Sequence, residues 1–474
     1  MSESALLELS LREAVAGIRA RRFSALEYCD TCIAQSERTA DLNAFASHDW
    51  DRLRGDARRA DQGSRAGLLA GVPLALKDNI NTVDLPTTAG TGALKGFRAA
   101  SNAAVAAALF AEGALLGAKA NMHELAFGIT TNNAVTGASR NPYDRDRIPG
   151  GSSGGTAVAV SARMMPGGIG TDTGGSVRVP AALCGIVGFR PSVGRYPGEG
   201  IVPISRTRDV AGPMTRDVAD AVLIDAVLAQ ETRPLDPIPL KSIRIGLPRN
   251  YFFDDLDPEV AAVVAGAIDT LVEAGVTLIP FDVADVAALN DAISFPVALY
   301  EFKRDLAQYL RDHAPHIALD DIVAGVGSAD VRAVVASQIG EGAMPEAVYR
   351  NAIALERPRL QQVYETYFRS HRLDAALFPT TPLPARPIGE DETVELNGRR
   401  VPTFATYIRN TDPGSNAGIP GISIPAGLTR AGLPVGIELD GACGSDRSLL
   451  AVAGAIEQAL GFSAAPPCVK SASS

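Results

Sequence analysis

The sequence predicts a layered α/β protein, and three stretches carry that expectation. Residues 243–247 (IRIGL), 257–274 and 276–280 read in turn as strand, helix and strand, with Pro258 in the first turn of the helix. Residues 103–112 and 114–119 read as a helix feeding a strand. Toward the C-terminus, short apolar runs at 375–382, 421–427 and 433–439 precede a last helix at about 446–460. Helices and strands alternating in this way pack as helices laid against a sheet.

The remaining elements follow in order. Ser10 with Glu13, and Ser24 with Glu27, each fit a capping box that starts a helix, and Leu11, Val15 and Ile18 share one face of the first. Val72, Leu74 and Leu76 alternate with Pro73, Ala75 and Lys77, as in a strand with two distinct faces, so Lys77 leaves the strand end opposite the leucines. A lysine at a strand end reads as a solvated charge by default. An apolar strand leading into Lys77-Asp78-Asn79 is an unusual place for one. Residues 121–128 read as a strand end and loop, 218–229 as a helix, and 285–372 as mainly helical.

Composition narrows the function. Hydrophobic residues make up 46% and charged residues 21% of the 474, a balance that supports a sizeable core. Forty-four basic against 54 acidic residues leave a net charge of −10, which argues against nucleic acid as the main partner. The start, MSESALLELSLREAVAGIRARR, lacks the pattern of a secretory signal, and the most apolar run, 103–118, is broken by Glu112. The expectation is a cytoplasmic protein with no membrane partner. Of five cysteines, Cys29 and Cys32 have CxxC spacing but lie in a helical pattern, and they are read as helix packing rather than a redox or zinc site. The five histidines show no HExxH or other zinc spacing, so no metal is expected, and His123 is read as a hydrogen-bonded structural residue.

The chemistry concentrates between Gly150 and Gly188. Two serine-bearing glycine loops stand there, GGSSGG at 150–155 and DTGGS at 172–176. Glycines beside a serine free the backbone and clear side chains away, so N–H groups can converge near a hydroxyl, as acyl transfer requires. Neither GxxxxGK[ST] nor GxGxxG is present, which sets phosphate cradling aside, and Ser176 lacks the GxSxG elbow. A Ser-His-Asp triad stays open, because triads assemble in space. A nucleophile, a second hydroxyl and an amine base fit the two loops and Lys77. Lysine serves as base only when neutral, which burial without a carboxylate partner would bring about.

Lys77 in its KDN context, the GGSSGG loop, GTDTGGSVR at 170–178, NAGIPG at 416–421 and GLPVG at 432–436 together resemble the amidase signature family. The motifs occur in the family's order, with its spacing from Ser152 to Ser176, and the resemblance runs from about residue 10 to 462. It implies one domain over 1–474, an α/β fold with a central mixed twisted sheet covered by helices on both faces, and a helical insertion or cap at about 285–372. It implies Ser176 as the acylated nucleophile, Ser152 as a bridging serine after a cis peptide from Gly151, and Lys77 as general base and acid. Backbone N–H groups of Thr173, Gly174, Gly175 and Ser176 match the oxyanion hole. Ala126 matches a position whose backbone contacts ligand in relatives. Ser153 is read as orienting its loop, and Asp172 with Arg178 as an ion pair holding the nucleophile loop.

The implied reaction is hydrolysis of a small amide through an acyl-enzyme, with no metal or organic cofactor. Residues 121–130 resemble the arylacetamide-type members, such as indoleacetamide and mandelamide hydrolases, so an aryl-containing carboxamide is the expected substrate. Two alternatives stand beside it: a carbamate (urethane) or aryl-acylamide hydrolase, and the glutaminase subunit of a tRNA-dependent amidotransferase. The expected partner is the small-molecule substrate, with self-association as a homodimer left open.

Overall fold

A computed structural model describes residues 1–63, 66–339 and 342–470 of the chain. Among these, eleven strands join one sheet: β1 (Phe45–His48), β2 (Pro73–Lys77), β3 (Leu115–Ala120), β4 (Gly167–Asp172), β5 (Val187–Arg190), β6 (Val210–Thr215), β7 (Arg244–Leu247), β8 (Thr277–Pro280), β9 (Ala375–Pro379), β12 (Gly421–Leu428) and β13 (Pro434–Asp440). The hairpin β10 (Thr393–Leu396) and β11 (Arg399–Pro402) stands apart. The spatial order is β1-β3-β2-β4-β6-β5-β12-β13-β9-β7-β8. The β3-β2-β4 and β9-β7-β8 neighbours pair in parallel, and the others are antiparallel, so the sheet is mixed as expected.

The alternation in β2 shows how the layers form. Leu74 and Leu76 enter a large core with Leu11, Cys29, Val105 and Ile224, contributed by helices Leu11–Arg19, Ala25–Arg38, Ala104–Ala111 and Val218–Leu228. Ala75 faces a second core with Ala157, Val160 and Met214 beside helix Gly154–Ser161. Small residues mark that second face and let the serine loops sit close to the sheet. A Cβ on Gly170 of β4 would fall 2.8 Å from Ser153 Oγ, nearer than packed atoms approach.

Several local expectations shift in detail. Ser10 forms a full capping box with Glu13, whereas Ser24 makes only its half, accepting from Glu27 N–H; Asp61 takes the N–H groups of Ala25 and Leu26. Residues 121–128 hold a 3₁₀ turn, Glu124–Ala126, that was expected as loop. The strand expected at 375–382 stops at Pro379. Strands β1, β4, β5 and β6 carry no strong sequence signal, since β4 reads GGIGTD and β6 holds a Gly-Pro pair. Cys29 and Cys32 are buried within their helix, and burial pushes the Cys32 thiol up to about 12. No described helix is long and apolar enough to cross a membrane.

Between β8 and β9 the chain is helical, with Val286–His313 the longest element, followed by Leu319–Gly325, Ala329–Ile339, Glu346–Asn351 and Arg357–His371. Two of them, Val286–His313 and Ala329–Ile339, contribute Phe295, Ala298, Leu299 and Val334 to the lining of a cavity that also includes Ser176.

Candidate active site

Lys77 ends β2 on the face opposite Leu74 and Leu76, fully buried. Its Nζ lies 2.8 Å from Ser152 Oγ and 2.8 Å from Thr171 Oγ1, and Asn79 Nδ2 donates to the same Thr171 oxygen at 3.1 Å. Burial pulls the Lys77 ammonium down to about 7, against the weaker opposing pull of Asp172 and Asp209. Burial draws the neighbouring lysine, Lys119, down too, to about 8, but its partners differ. Lys119 on β3 pairs with Asp78 at 3.4 Å and donates to Thr87 Oγ1 and the Pro86 carbonyl. Lys77 is thus the lysine suited to accept a proton, since a neutral amine can donate to Thr171 while its lone pair faces the Ser152 hydroxyl.

The Gly151–Ser152 peptide is cis. Thr131, which sequence reading passed over, holds this loop: its hydroxyl donates to the Gly150 carbonyl at 2.8 Å and accepts from Gly154 N–H at 3.2 Å. Ser153 ties the two loops together, donating from its N–H to the Ser176 carbonyl at 3.2 Å and from its hydroxyl to the Thr171 carbonyl at 3.2 Å.

The second loop leaves β4 after Asp172. Gly175 has φ +152°, and a Cβ there would sit 2.1 Å from Thr411 Oγ1, so only glycine fits the turn that leads into Ser176. The Asp172 carboxylate accepts from Val177 N–H at 3.1 Å and from Arg178 at 3.1 Å, bracketing Ser176. Burial opposes ionisation of Asp172, but Arg178 and Arg190 outweigh it and hold the carboxyl well below the usual range. Arg178 reaches further, to Glu438 at 2.9 Å and Ser415 Oγ at 2.7 Å, and Arg190 meets Asp172 at 3.2 Å. The pair foreseen as local is the centre of a buried network, and Arg190 and Glu438 come from β5 and β13, too distant in sequence to be foreseen.

Ser176, Thr173 and Gly174 open onto a cavity of about 280 Å³. Its walls are mainly apolar: Phe127 and Ile129 beyond the 3₁₀ turn, Phe295, Ala298 and Leu299 from helix Val286–His313, and Phe404. Ala126 lines it too, with φ +61°. His123 also reaches the cavity, but its Nε2 lies 3.1 Å from Asp330 Oδ2, and its ring has no hydrogen bond to Ser152 or Ser176. The Ser-His-Asp arrangement is therefore not the one assembled here. Among the described residues no group of His, Cys, Asp and Glu is placed to hold a metal ion.

A buried amine against one serine, and a second serine in a glycine loop that opens onto a mainly apolar cavity, is an arrangement that can transfer an acyl group. The family model described as Amidase matches residues 27–450. An indoleacetamide hydrolase of Rhizobium radiobacter is 50% identical over 454 residues, covering 96% of this chain and 97% of its own. A mandelamide hydrolase of Pseudomonas putida is 40% identical, covering 97% and 93%. A solved structure described as an amidase superposes with a TM-score of 0.84 at 34% identity, covering 95% of this chain and 99% of its own.

Proposed function

The chain belongs to the amidase family, and from that premise we propose that it hydrolyses the C–N bond of a small aryl-containing carboxamide, with Ser176 as nucleophile, Ser152 as proton relay and Lys77 as base. The observation that carries the catalytic part is the buried contact of Lys77 Nζ with Ser152 Oγ at 2.8 Å, made with no carboxylate of the described residues paired to the amine. The aryl preference is supported by the apolar walls of the cavity and by relatives named for indoleacetamide and mandelamide.

In this reading Ser176 Oγ attacks the amide carbonyl carbon. Its proton passes to Ser152 as the Ser152 proton passes to Lys77 Nζ. The N–H groups of the 173–176 loop hold the oxyanion, a task whose single donors are worth about 10²–10³ in kcat. Lys77 then returns the proton through Ser152 to the leaving nitrogen, and the amine or ammonia departs. Water, activated by the same relay, releases the acid and restores Ser176. Asp172 and Arg178 keep the loop in place. The relatives favour neither the carbamate alternative nor the glutaminase subunit. A cytoplasmic site of action accords with the unpaired thiols of Cys29, Cys32, Cys184 and Cys443.

The test is turnover of indole-3-acetamide and mandelamide by the purified chain, alongside Ser176→Ala and labelling by a serine-directed fluorophosphonate. The wild type should turn over and label while the variant does neither. A Ser176→Ala protein that still forms an acyl-enzyme overturns the assignment.

A further inference from the structure

The proposed reaction uses the backbone of Thr173, while its side chain is engaged elsewhere. Thr173 Oγ1 donates to Asp209 Oδ1 at 2.6 Å. The other oxygen, Asp209 Oδ2, accepts the N–H groups of Ile204 at 2.8 Å and Ser205 at 2.9 Å. One carboxylate therefore ties the nucleophile loop to the segment 204–209.

That segment is in turn lashed to helix Val286–His313. Glu301 Oε2 accepts from Ser205 Oγ at 2.6 Å, from Thr207 N–H at 3.2 Å and from Thr207 Oγ1 at 2.9 Å. Asp305 Oδ2 accepts from Arg206 N–H at 2.8 Å, and the Arg208 guanidinium donates to the Ser294 carbonyl at 2.9 Å and also engages Asp412. The same helix supplies Phe295, Ala298 and Leu299 to the cavity wall. An unbroken run of hydrogen bonds thus joins the wall of the acyl cavity to the loop that carries the N–H donors.

We propose that Asp209 is a positioning residue for amide hydrolysis: it fixes Thr173, and with it the donor groups of the 173–176 loop, relative to the helix that forms the acyl-cavity wall. The inference rests on the reading of that loop as the oxyanion hole. Asp209 touches neither substrate nor nucleophile in this account, so its influence falls on the height of the barrier and not on binding of the ground state. A negatively charged acceptor suits the task, because a charged hydrogen bond is shorter and stronger than a neutral one. Asparagine can preserve the connection in weaker form, its amide N–H donating to Thr173 Oγ1 while its oxygen serves the two backbone donors.

The test compares Asp209→Ala, Asp209→Asn, Thr173→Val and the Asp209→Ala/Thr173→Val pair on indole-3-acetamide, with the full chain. The proposal expects Asp209→Ala and Thr173→Val each to lower kcat about tenfold or more with KM within about twofold. The double variant should be no slower than the slower single, and Asp209→Asn should recover most of the loss. Wild-type kcat in Thr173→Val, or losses that multiply in the double variant, overturn it. If Asp209→Ala does not fold, Thr173→Val still decides: a fall in kcat at unchanged KM supports the proposal, and an unchanged kcat overturns it. Fluorophosphonate labelling separates the two levels. A Ser176→Ala protein that still labels removes the reading of the loop itself, whereas labelling confined to Ser176 with an unaffected Thr173→Val removes only the role of Asp209.

Discussion

Lys77 Nζ lies 2.8 Å from Ser152 Oγ with no ion pair among the described residues, although Lys119 on the adjoining strand is paired to Asp78 at 3.4 Å. Two lysines buried to the same extent therefore stand in different electrostatic settings, and only the one without a partner contacts a serine.

Activity should follow the protonation of Lys77. The proposed relay needs the neutral amine, and burial draws its pKa down to about 7. We expect kcat/KM to fall about tenfold per unit as pH drops below about 7 and to level off above it. A profile flat from pH 5.5 to 8.5 is incompatible with a lysine base. Lys77→Arg should be inactive throughout, because a guanidinium stays charged.

The same shift has a stability signature of fixed sign. The unfolded chain holds the lysine proton up to about pH 10.4, whereas the folded state releases it near 7. Between these values the unfolded state binds more protons, so this group makes the protein more stable as pH rises, by at most about 1.4 kcal/mol per unit. Below pH 7 both states are protonated, and the burial penalty is present in full. Urea unfolding at pH 7, 8 and 9 should show wild type gaining on Lys77→Met with each step. A constant difference would mean that the folded pKa is not lowered.

Arg178 is expected to matter for the fold as much as for the loop. It is fully buried, pairing with Asp172 at 3.1 Å and with Glu438 at 2.9 Å. Arg178→Met leaves Glu438 without its cation and Asp172 with Arg190 alone. Breaking a buried network by removing one partner costs about 3–5 kcal/mol. Denaturant unfolding at neutral pH measures this directly, and a loss below about 1 kcal/mol contradicts it.

What could be read in advance follows from where the signal lies. Lys77, Ser152 and Ser176 stand in short segments whose glycines and flanks are themselves unusual, so the sequence advertises them locally. The αβ unit at Ala104–Ala120 and the β-α-β run from β7 to β8 have regular periodicity and were equally legible. Strand β4 was not, because a strand that must pass beneath Ser153 has to be glycine-rich and thereby loses its strand-like composition. Arg190, Thr131, Asp209 and Glu438 act by converging from separate elements on the two loops. Nothing adjacent to them in sequence records that convergence. The cavity wall is hidden for the same reason, since helix packing alone decides which face of Val286–His313 meets the site.

That wall offers the sharpest test of substrate class. Ala298 lines the cavity one turn along the helix from Phe295, and it packs with Met122, Ala126 and Ile204. A phenyl ring placed there by Ala298→Phe would intrude into the roughly 280 Å³ available and shorten the space for a ring. Shape changes of this kind discriminate by about 1–3 kcal/mol per small group in an apolar pocket. We therefore expect kcat/KM for indole-3-acetamide to fall at least tenfold while that for a short aliphatic amide such as propionamide changes less than threefold. Equal losses on both would mean that the substitution disturbs the catalytic loops and not the acyl space. No loss on the aryl amide would mean that the ring binds elsewhere.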